Sequence, residues 1–315
     1  MFDAEKFIRE TIEKLKKEVP GKALIAFSGG VDSTVCAALV NKAIGNQLLA
    51  VNIDTGYMRK NEPEIVKELM KDMGLNYRFI DASEKFYKAL KGVRDPERKR
   101  KIIGEMFIRL FEEVAKNEKI ENLVQGTIAP DWIESGGDLR DTIKSHHNVG
   151  GLPENMDLKL VEPLRDLYKD EVRQVARTIG LSVSERQPFP GPGLAIRILG
   201  EATPQRTKIV REACDIVEKE IENAVEKGKM ELPWQYFAVL LPTKSVGVHG
   251  DKRAYGSVIA IRAVQSIDAM TCSFSKIPIN VIDRISNRIT NNLGDKINRV
   301  VYDITNKPPG TVEWE

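Results

Sequence analysis

The chain has 315 residues, 42% hydrophobic and 30% charged, and at roughly 150 residues per domain this length predicts about two domains. Its 48 basic and 46 acidic residues leave a net charge of +2, which excludes a general polyanion binder and confines any phosphate affinity to local sites. The apolar content excludes disorder, no apolar run is long enough for a membrane span, and Cys36, Cys214 and Cys272 are too few and too widely spaced for a disulfide framework or a four-thiolate zinc site.

Residues 1–19 read as an amphipathic, charged helix without the apolar centre of a signal peptide, which points to a cytoplasmic globular protein. ALIAF at 23–27 is a short apolar run suited to a buried parallel strand, and it ends in the glycine-rich SGGVDS. A helix follows over 34–45, stopped by Gly45, and LLAVNID at 48–54 predicts a second strand. Asn61 is placed to cap a helix reaching Met73, with Pro63 in its first turn and Gly74 behind it. A third strand is expected at 77–81, a long helix at 96–117 and a fourth strand at 122–126.

Residues 128–156 show neither strand nor helix periodicity, and an unpatterned stretch of that length predicts a functional lid or binding loop. A fifth strand (158–164) and an amphipathic helix (169–181) come next. Strand–helix repetition of this kind implies a doubly wound parallel sheet of the α/β class. The break at 185–193, with Pro188, Pro190 and Pro192, marks a boundary between a domain at 1–185 and a smaller α+β domain at 186–315. The second part predicts helices at 204–227 and 278–294, β-rich segments beginning at Trp234 and Tyr255, and a strand at 299–304.

The strongest chemical signal is the turn between the first strand and its helix. Gly29 and Gly30 let backbone approach an anion closely, and the free N–H groups of a helix start point at phosphate oxygens. Ser28 and Ser33 add hydroxyl donors, and Asp32 is suited to Mg²⁺ beside those oxygens. Neither GxxxxGK[ST] nor GxGxxG is present at this turn. In position and composition, SGGVDS after an apolar strand resembles the pyrophosphate loop of the N-type ATP pyrophosphatases. That family adenylates a substrate oxygen, releases pyrophosphate and lets a nitrogen or sulfur nucleophile displace AMP. The likeness implies an adenine nucleotide alpha hydrolase-like fold, with ATP held by Ser28, Gly29, Gly30, Val31, Asp32, Ser33 and Thr34 and with Mg²⁺ on Asp32.

Four further segments, at 142–154, 161–173, 187–201 and 300–315, are similar to the GMP synthetase branch of that superfamily. The resemblance implies amination of XMP to GMP, with ammonia from a separate glutaminase subunit, since the chain opens directly on the synthetase part and its cysteines read as packed residues. It also implies a homodimer formed through the C-terminal domain. Asp131, Lys144, Lys169 and Asp170 are the implied catalytic residues. Arg100, Gln235, Lys307, Thr311 and Glu313 are the implied contacts for XMP, Glu313 as an acceptor for purine N–H groups.

Other residues remain open at this stage. Asp54 and Thr55 end a strand where ligands bind, but Asp54 also suits a plain turn. Glu134 lies near Asp131, His146 and His147 have the wrong spacing for a helical metal pair, Glu171 suits helix capping, and Arg262 belongs to the C-terminal pattern. A tRNA-thiolating enzyme would require paired reactive cysteines and a basic surface, and an RNA-binding reading rests only on GVHG at 247–250 beside Lys252 and Arg253. No nucleic-acid or membrane partner is therefore expected.

Overall fold

The computed structural model describes residues 2–129, 158–181, 187–249, 251–266 and 270–315. They form two compact units. The first takes residues 1–55, 61–82 and 103–186, and the second takes 56–60, 83–102 and 187–315. The second unit thus draws two short segments from the first third of the chain.

In the first unit, α1 (Ala4–Glu18) opens on Asp3, whose carboxylate accepts from Lys6 N at 2.9 Å. The chain then runs through β1 (Ala23–Ala26), α2 (Val31–Ile44), β2 (Leu48–Asp54), α3 (Glu62–Asp72) and β3 (Asn76–Asp81). After α4 (Ser83–Ala89), which belongs to the second unit, come α5 (Pro96–Glu118), β4 (Asn122–Val124), β5 (Lys159–Val161) and α6 (Lys169–Thr178). All four strand pairs are parallel, in the order β3-β2-β1-β4-β5. Helices flank the sheet, and Leu15, Ile25, Leu39, Val40, Ala50, Met70, Val124 and Val175 join one apolar core. The strands are apolar along their length because parallel strands are covered on both faces.

The order reverses at β1. β2 pairs on one side of it and β4 on the other, which opens a crevice beyond the carboxyl end of β1, the place where open α/β sheets bind ligands.

Several boundaries differ from the sequence reading. α2 begins at Val31 rather than Thr34, because Gly30 takes the extended N-cap conformation and the helix starts directly behind it. Asn61 precedes α3 but makes no side-chain cap bond, since it sits in the left-handed region (φ 59°) that asparagine tolerates. β5 is shorter than expected and the chain turns after Pro163. α4 has no counterpart in the sequence reading.

In the second unit, α7 (Pro204–Glu226) packs on β6 (Gln235–His249) and on α8 (Ile279–Leu293). β6 pairs antiparallel with β7 (Lys252–Gln265). The other edge of β7 is shared by β8 (Ser273–Phe274), antiparallel at 264–265, and β9 (Ile297–Asp303), parallel at 257–262. Val210, Val217 and Ile221 of α7, Leu240 of β6, Ile259 and Ile261 of β7, and Val281, Ile285 and Ile289 of α8 are all buried.

Candidate functional site

At the crevice, Phe27 N still bonds Val51 O as a strand residue, and the chain then turns through Ser28-Gly29-Gly30 into α2. Gly29 has φ +76°, and a Cβ there would stand 2.8 Å from Val66 Cγ2, so both conformation and space require glycine. Gly126, just past β4, also has a close neighbour: a Cβ would meet the Asp32 carbonyl carbon at 3.1 Å. The turn is thereby packed against Val66 of α3, and the start of α2 against Gly126.

The Gly30 carbonyl accepts from Ser33 Oγ (3.1 Å), Thr34 Oγ1 (2.7 Å) and Thr34 N (3.0 Å), while Ser28 Oγ lies 3.0 Å from Ser33 Oγ. No side chain caps the N-terminus of α2. A helix leaves its first N–H groups without intrahelical acceptors, so this end carries oriented donors and the positive pole of the helix. The seven sequence-predicted ATP residues, Ser28 through Thr34, therefore form one continuous cradle suited to an anion.

Lys169, the first residue of α6, donates to Asp32 Oδ2 at 2.6 Å. The other oxygen, Oδ1, is buried and has no hydrogen-bond partner among the described residues. A desolvated carboxylate oxygen beside helix-end donors fits one ligand position of a divalent cation that takes its other ligands from phosphates and water. Among the described residues, no three His, Cys, Asp or Glu side chains gather into a metal cluster, so Asp32 would hold Mg²⁺ together with the nucleotide rather than in an all-protein cage.

The neighbours of Lys169 point elsewhere. Asp170 pairs with Arg173 at 3.1 Å, and its side chain is 86% exposed. Glu171 caps α6 by accepting from Tyr168 N at 2.8 Å. The structure brings Lys169 to the phosphate loop and leaves Asp170 on an exposed helix face. Asp131, Glu134, Lys144, His146 and His147 lie outside the described residues.

The second unit holds the expected XMP residues around the segment 305–315. Glu313 Oε1 accepts from Arg197 Nη2 (2.8 Å) and Gln235 Nε2 (3.1 Å), and its Oε2 accepts from Arg197 Nε (3.1 Å). Arg197 is fully buried, with its guanidinium 4.0 Å above the Phe237 ring and 5.2 Å from that of Phe189. Burial works against its charge, but the Glu313 carboxylate more than offsets this and keeps the guanidinium above its usual range. Arg262, also buried, reaches the carbonyls of Thr305, Thr311 (2.9 Å) and Val312 (3.4 Å) and pairs with Asp303 at 3.3 Å.

Thr311 Oγ1 donates to the Glu313 carbonyl, and Lys307 exchanges backbone bonds with Cys272. Arg100 donates to the main-chain oxygen of Glu315. Gln235, Thr311 and Glu313 are thus gathered, with Arg100 bonded further along the same segment. Two residues that the sequence reading passes over, Arg197 and Lys99, hold this segment. Arg197 stands alone in the apolar run GLAIRIL, and an isolated charge in such a run signals a buried cation that needs a partner.

All three cysteines are buried and unpaired. Burial raises the Cys36 thiol far above its usual range and pushes that of Cys214 up to about 11, so neither is poised as a thiolate. None of the described helices is long and apolar enough to cross a membrane.

Residues 220–314 match the family described as GMP synthase C terminal domain, and residues 1–128 match NAD synthase. Three relatives are each named as one subunit of GMP synthase (glutamine-hydrolyzing). The one from Methanopyrus kandleri is 57% identical over 319 residues and covers 100% of both chains. That from Thermoplasma acidophilum is 55% identical over 309 residues, 98% of each chain, and that from Thermococcus kodakarensis is 57% identical over 315 residues, 99% of each.

Proposed function

This chain belongs to the family of these GMP synthase subunits, and from that premise we propose that it is a C–N ligase aminating XMP to GMP with cleavage of ATP to AMP and pyrophosphate. The observation that carries the reading is likeness over the full length of those relatives, because the phosphate loop by itself suits many nucleotide acceptors.

In the first half-reaction, the O2 oxygen of XMP attacks the α-phosphorus of ATP, the bond to the bridging oxygen of the β-phosphate breaks, and pyrophosphate leaves. Ammonia then adds at C2 of the adenyl-XMP, sheds protons to solvent, and AMP departs with the former O2 oxygen. The first-turn amides of α2 and the hydroxyls of Ser28, Ser33 and Thr34 bind the β- and γ-phosphates. Lys169 places a cation beside the negative charge that builds on the leaving group. Asp32 would hold Mg²⁺, which would supply neutralisation of phosphate charge. Lys144 adds a second cation, and Asp131 polarises the ammonia. Arg100, Lys307 and Thr311 take the XMP phosphate, while Gln235 and Glu313 read its purine edge. Positioning and charge neutralisation supply most of the rate.

The ATP chemistry belongs to 1–185, which also lends Arg100 to XMP, and the other XMP contacts and homodimer formation belong to 186–315, working in the cytoplasm without nucleic acid. Ammonia comes from a separate glutaminase subunit, as the wording of the relatives' name suggests.

The test is steady-state formation of GMP from XMP, Mg-ATP and ammonium, with AMP and pyrophosphate appearing one for one and glutamine as the comparison nitrogen source. GMP with ammonium but not with glutamine is expected. Formation with glutamine alone, or no GMP from either source, overturns the assignment.

A further inference from the structure

Lys99, in the first turn of α5, has a side chain that is 0% exposed, yet its Nζ has three acceptors. It donates to Ala195 O at 3.1 Å, to Ile198 O at 2.7 Å and to the Glu315 carboxylate Oε2. The two carbonyls flank Arg197 in the 3-10 turn Gly193–Arg197 and the residue after it. Glu315 stands two residues beyond Glu313, and its other oxygen, Oε1, accepts from Gly200 N at 3.2 Å. Arg197–Glu313 and Lys99–Glu315 are therefore two adjacent rungs between one turn and one terminal segment. Arg100 adds a bond to the main-chain oxygen of Glu315.

We infer that Lys99 is a positioning residue for the acceptor nucleotide, locking the turn that carries Arg197 to the segment that carries Thr311 and Glu313. This rests on the proposal that those two residues bind XMP. A buried ammonium is stable only when every proton finds an acceptor, so the carboxylate of Glu315 and the two turn carbonyls are held to a single arrangement. Burial lowers the affinity of Lys99 for its proton and raises that of Glu315, while the contact between them works against both shifts. Neither group touches the purine. Each limits where Glu313 can stand, and a displacement of about 1 Å at a binding carboxylate is enough to cost about a hundredfold.

The experiment compares Lys99→Met, Glu315→Ala and the double variant with Glu313→Gln in the full chain, measuring KM for XMP, KM for ATP and kcat with saturating ammonium, with Tm as the folding control. Lys99→Met and Glu315→Ala are each expected to raise KM for XMP at least tenfold. Their kcat at saturating XMP should stay within about threefold and their KM for ATP should not change. The double variant should be no worse than Lys99→Met alone, because one interaction has been removed twice. Lys99→Arg, which cannot satisfy all three acceptors with the same geometry, should recover only part of the loss.

If Lys99→Met does not fold, Glu315→Gln, which removes the charge but keeps an acceptor oxygen for the Lys99 ammonium, carries the test by itself. An unchanged KM for XMP in the folded Lys99 or Glu315 variants, alongside a raised one in Glu313→Gln, overturns the positioning role and leaves the binding assignment standing. Equal rises in KM for XMP and for ATP mark a merely structural residue and also overturn it. An unchanged KM in Glu313→Gln overturns the binding assignment beneath it.

Discussion

The 2.6 Å contact between Lys169 and Asp32 sets up a competition for one carboxylate. With Lys169 on Oδ2 and Oδ1 buried without a partner among the described residues, a cation entering with the nucleotide shares Asp32 with the lysine or displaces it toward the phosphates. Asp32→Asn weakens the hold on a cation, and its half-saturating Mg²⁺ concentration is expected to rise at least tenfold in a titration of initial rates. Lys169→Met removes the cation paired with Asp32, and on the mechanism proposed above kcat should fall by about a hundredfold with KM for XMP little changed. Gly29→Ala forces a side chain into both a left-handed backbone and the Val66 methyl. The backbone term is about 1–2 kcal/mol and the clash adds to it, so a lower Tm and a raised KM for ATP are expected together.

At the scale of elements, α7 carries two carboxylates with opposite behaviour. Glu220 is buried, which raises its affinity for protons, but hydrogen bonds from Arg288 (2.7 Å) and Arg284 (2.9 Å) outweigh burial and keep it below the usual carboxylate range. The contacts tie α7 to α8, and Glu220→Ala should cost about 2 kcal/mol in urea unfolding, below the value for a fully buried pair because both arginines reach solvent. Glu218 is pushed up to about 7 by burial, against the pull of Arg59 and Arg197 and with help from Glu222 and Asp215. A carboxyl raised on folding contributes stability that is complete below the unfolded value near 4.3 and disappears as pH rises through about 7. Glu218→Gln should therefore gain on the order of 2 kcal/mol over the native chain between pH 5 and pH 8, visible as a flatter dependence of Tm on pH.

The same scale shows what is legible in the sequence. β2 runs over the residues that its apolar run predicts, and the glycine-rich turn stands directly before α2, because both are local effects of burial and backbone freedom. The first-turn identity of Val31, Asp32 and Ser33 escapes the pattern by three residues, since glycine at an N-cap gives no side-chain signal. The hold of Lys169 on Asp32 spans 137 positions and that of Lys99 on Glu315 spans 216. Spacing carries no record of such pairs, and only family likeness points to Lys169.

For the whole molecule, the parallel sheet and the mixed sheet each bring their own set of charged residues to a terminus or turn, one set suited to triphosphate and the other to the segment 305–315. If the second unit pairs two copies as proposed, sedimentation should give about twice the 35.4 kDa chain mass at micromolar concentration, and catalytic activity per chain should fall on dilution below the dissociation constant.

The division of the chain has a further consequence for how such a protein can be inherited. A cut in the proline-rich break near residue 186 looks like a clean seam, yet it would strand Arg59, Lys99 and Arg100 on one fragment and their partners Glu218 and Glu315 on the other. The second unit is thus not a portable module. A gene rearrangement that transplanted residues 187–315 alone would carry the terminal segment with Arg197 and Arg262 but without Lys99 and Arg100, the cations that hold Glu315. Shuffling at that seam should yield folded helices and strands with a loose terminus, and only an exchange that also moves 56–60 and 83–102 would preserve the assembled face.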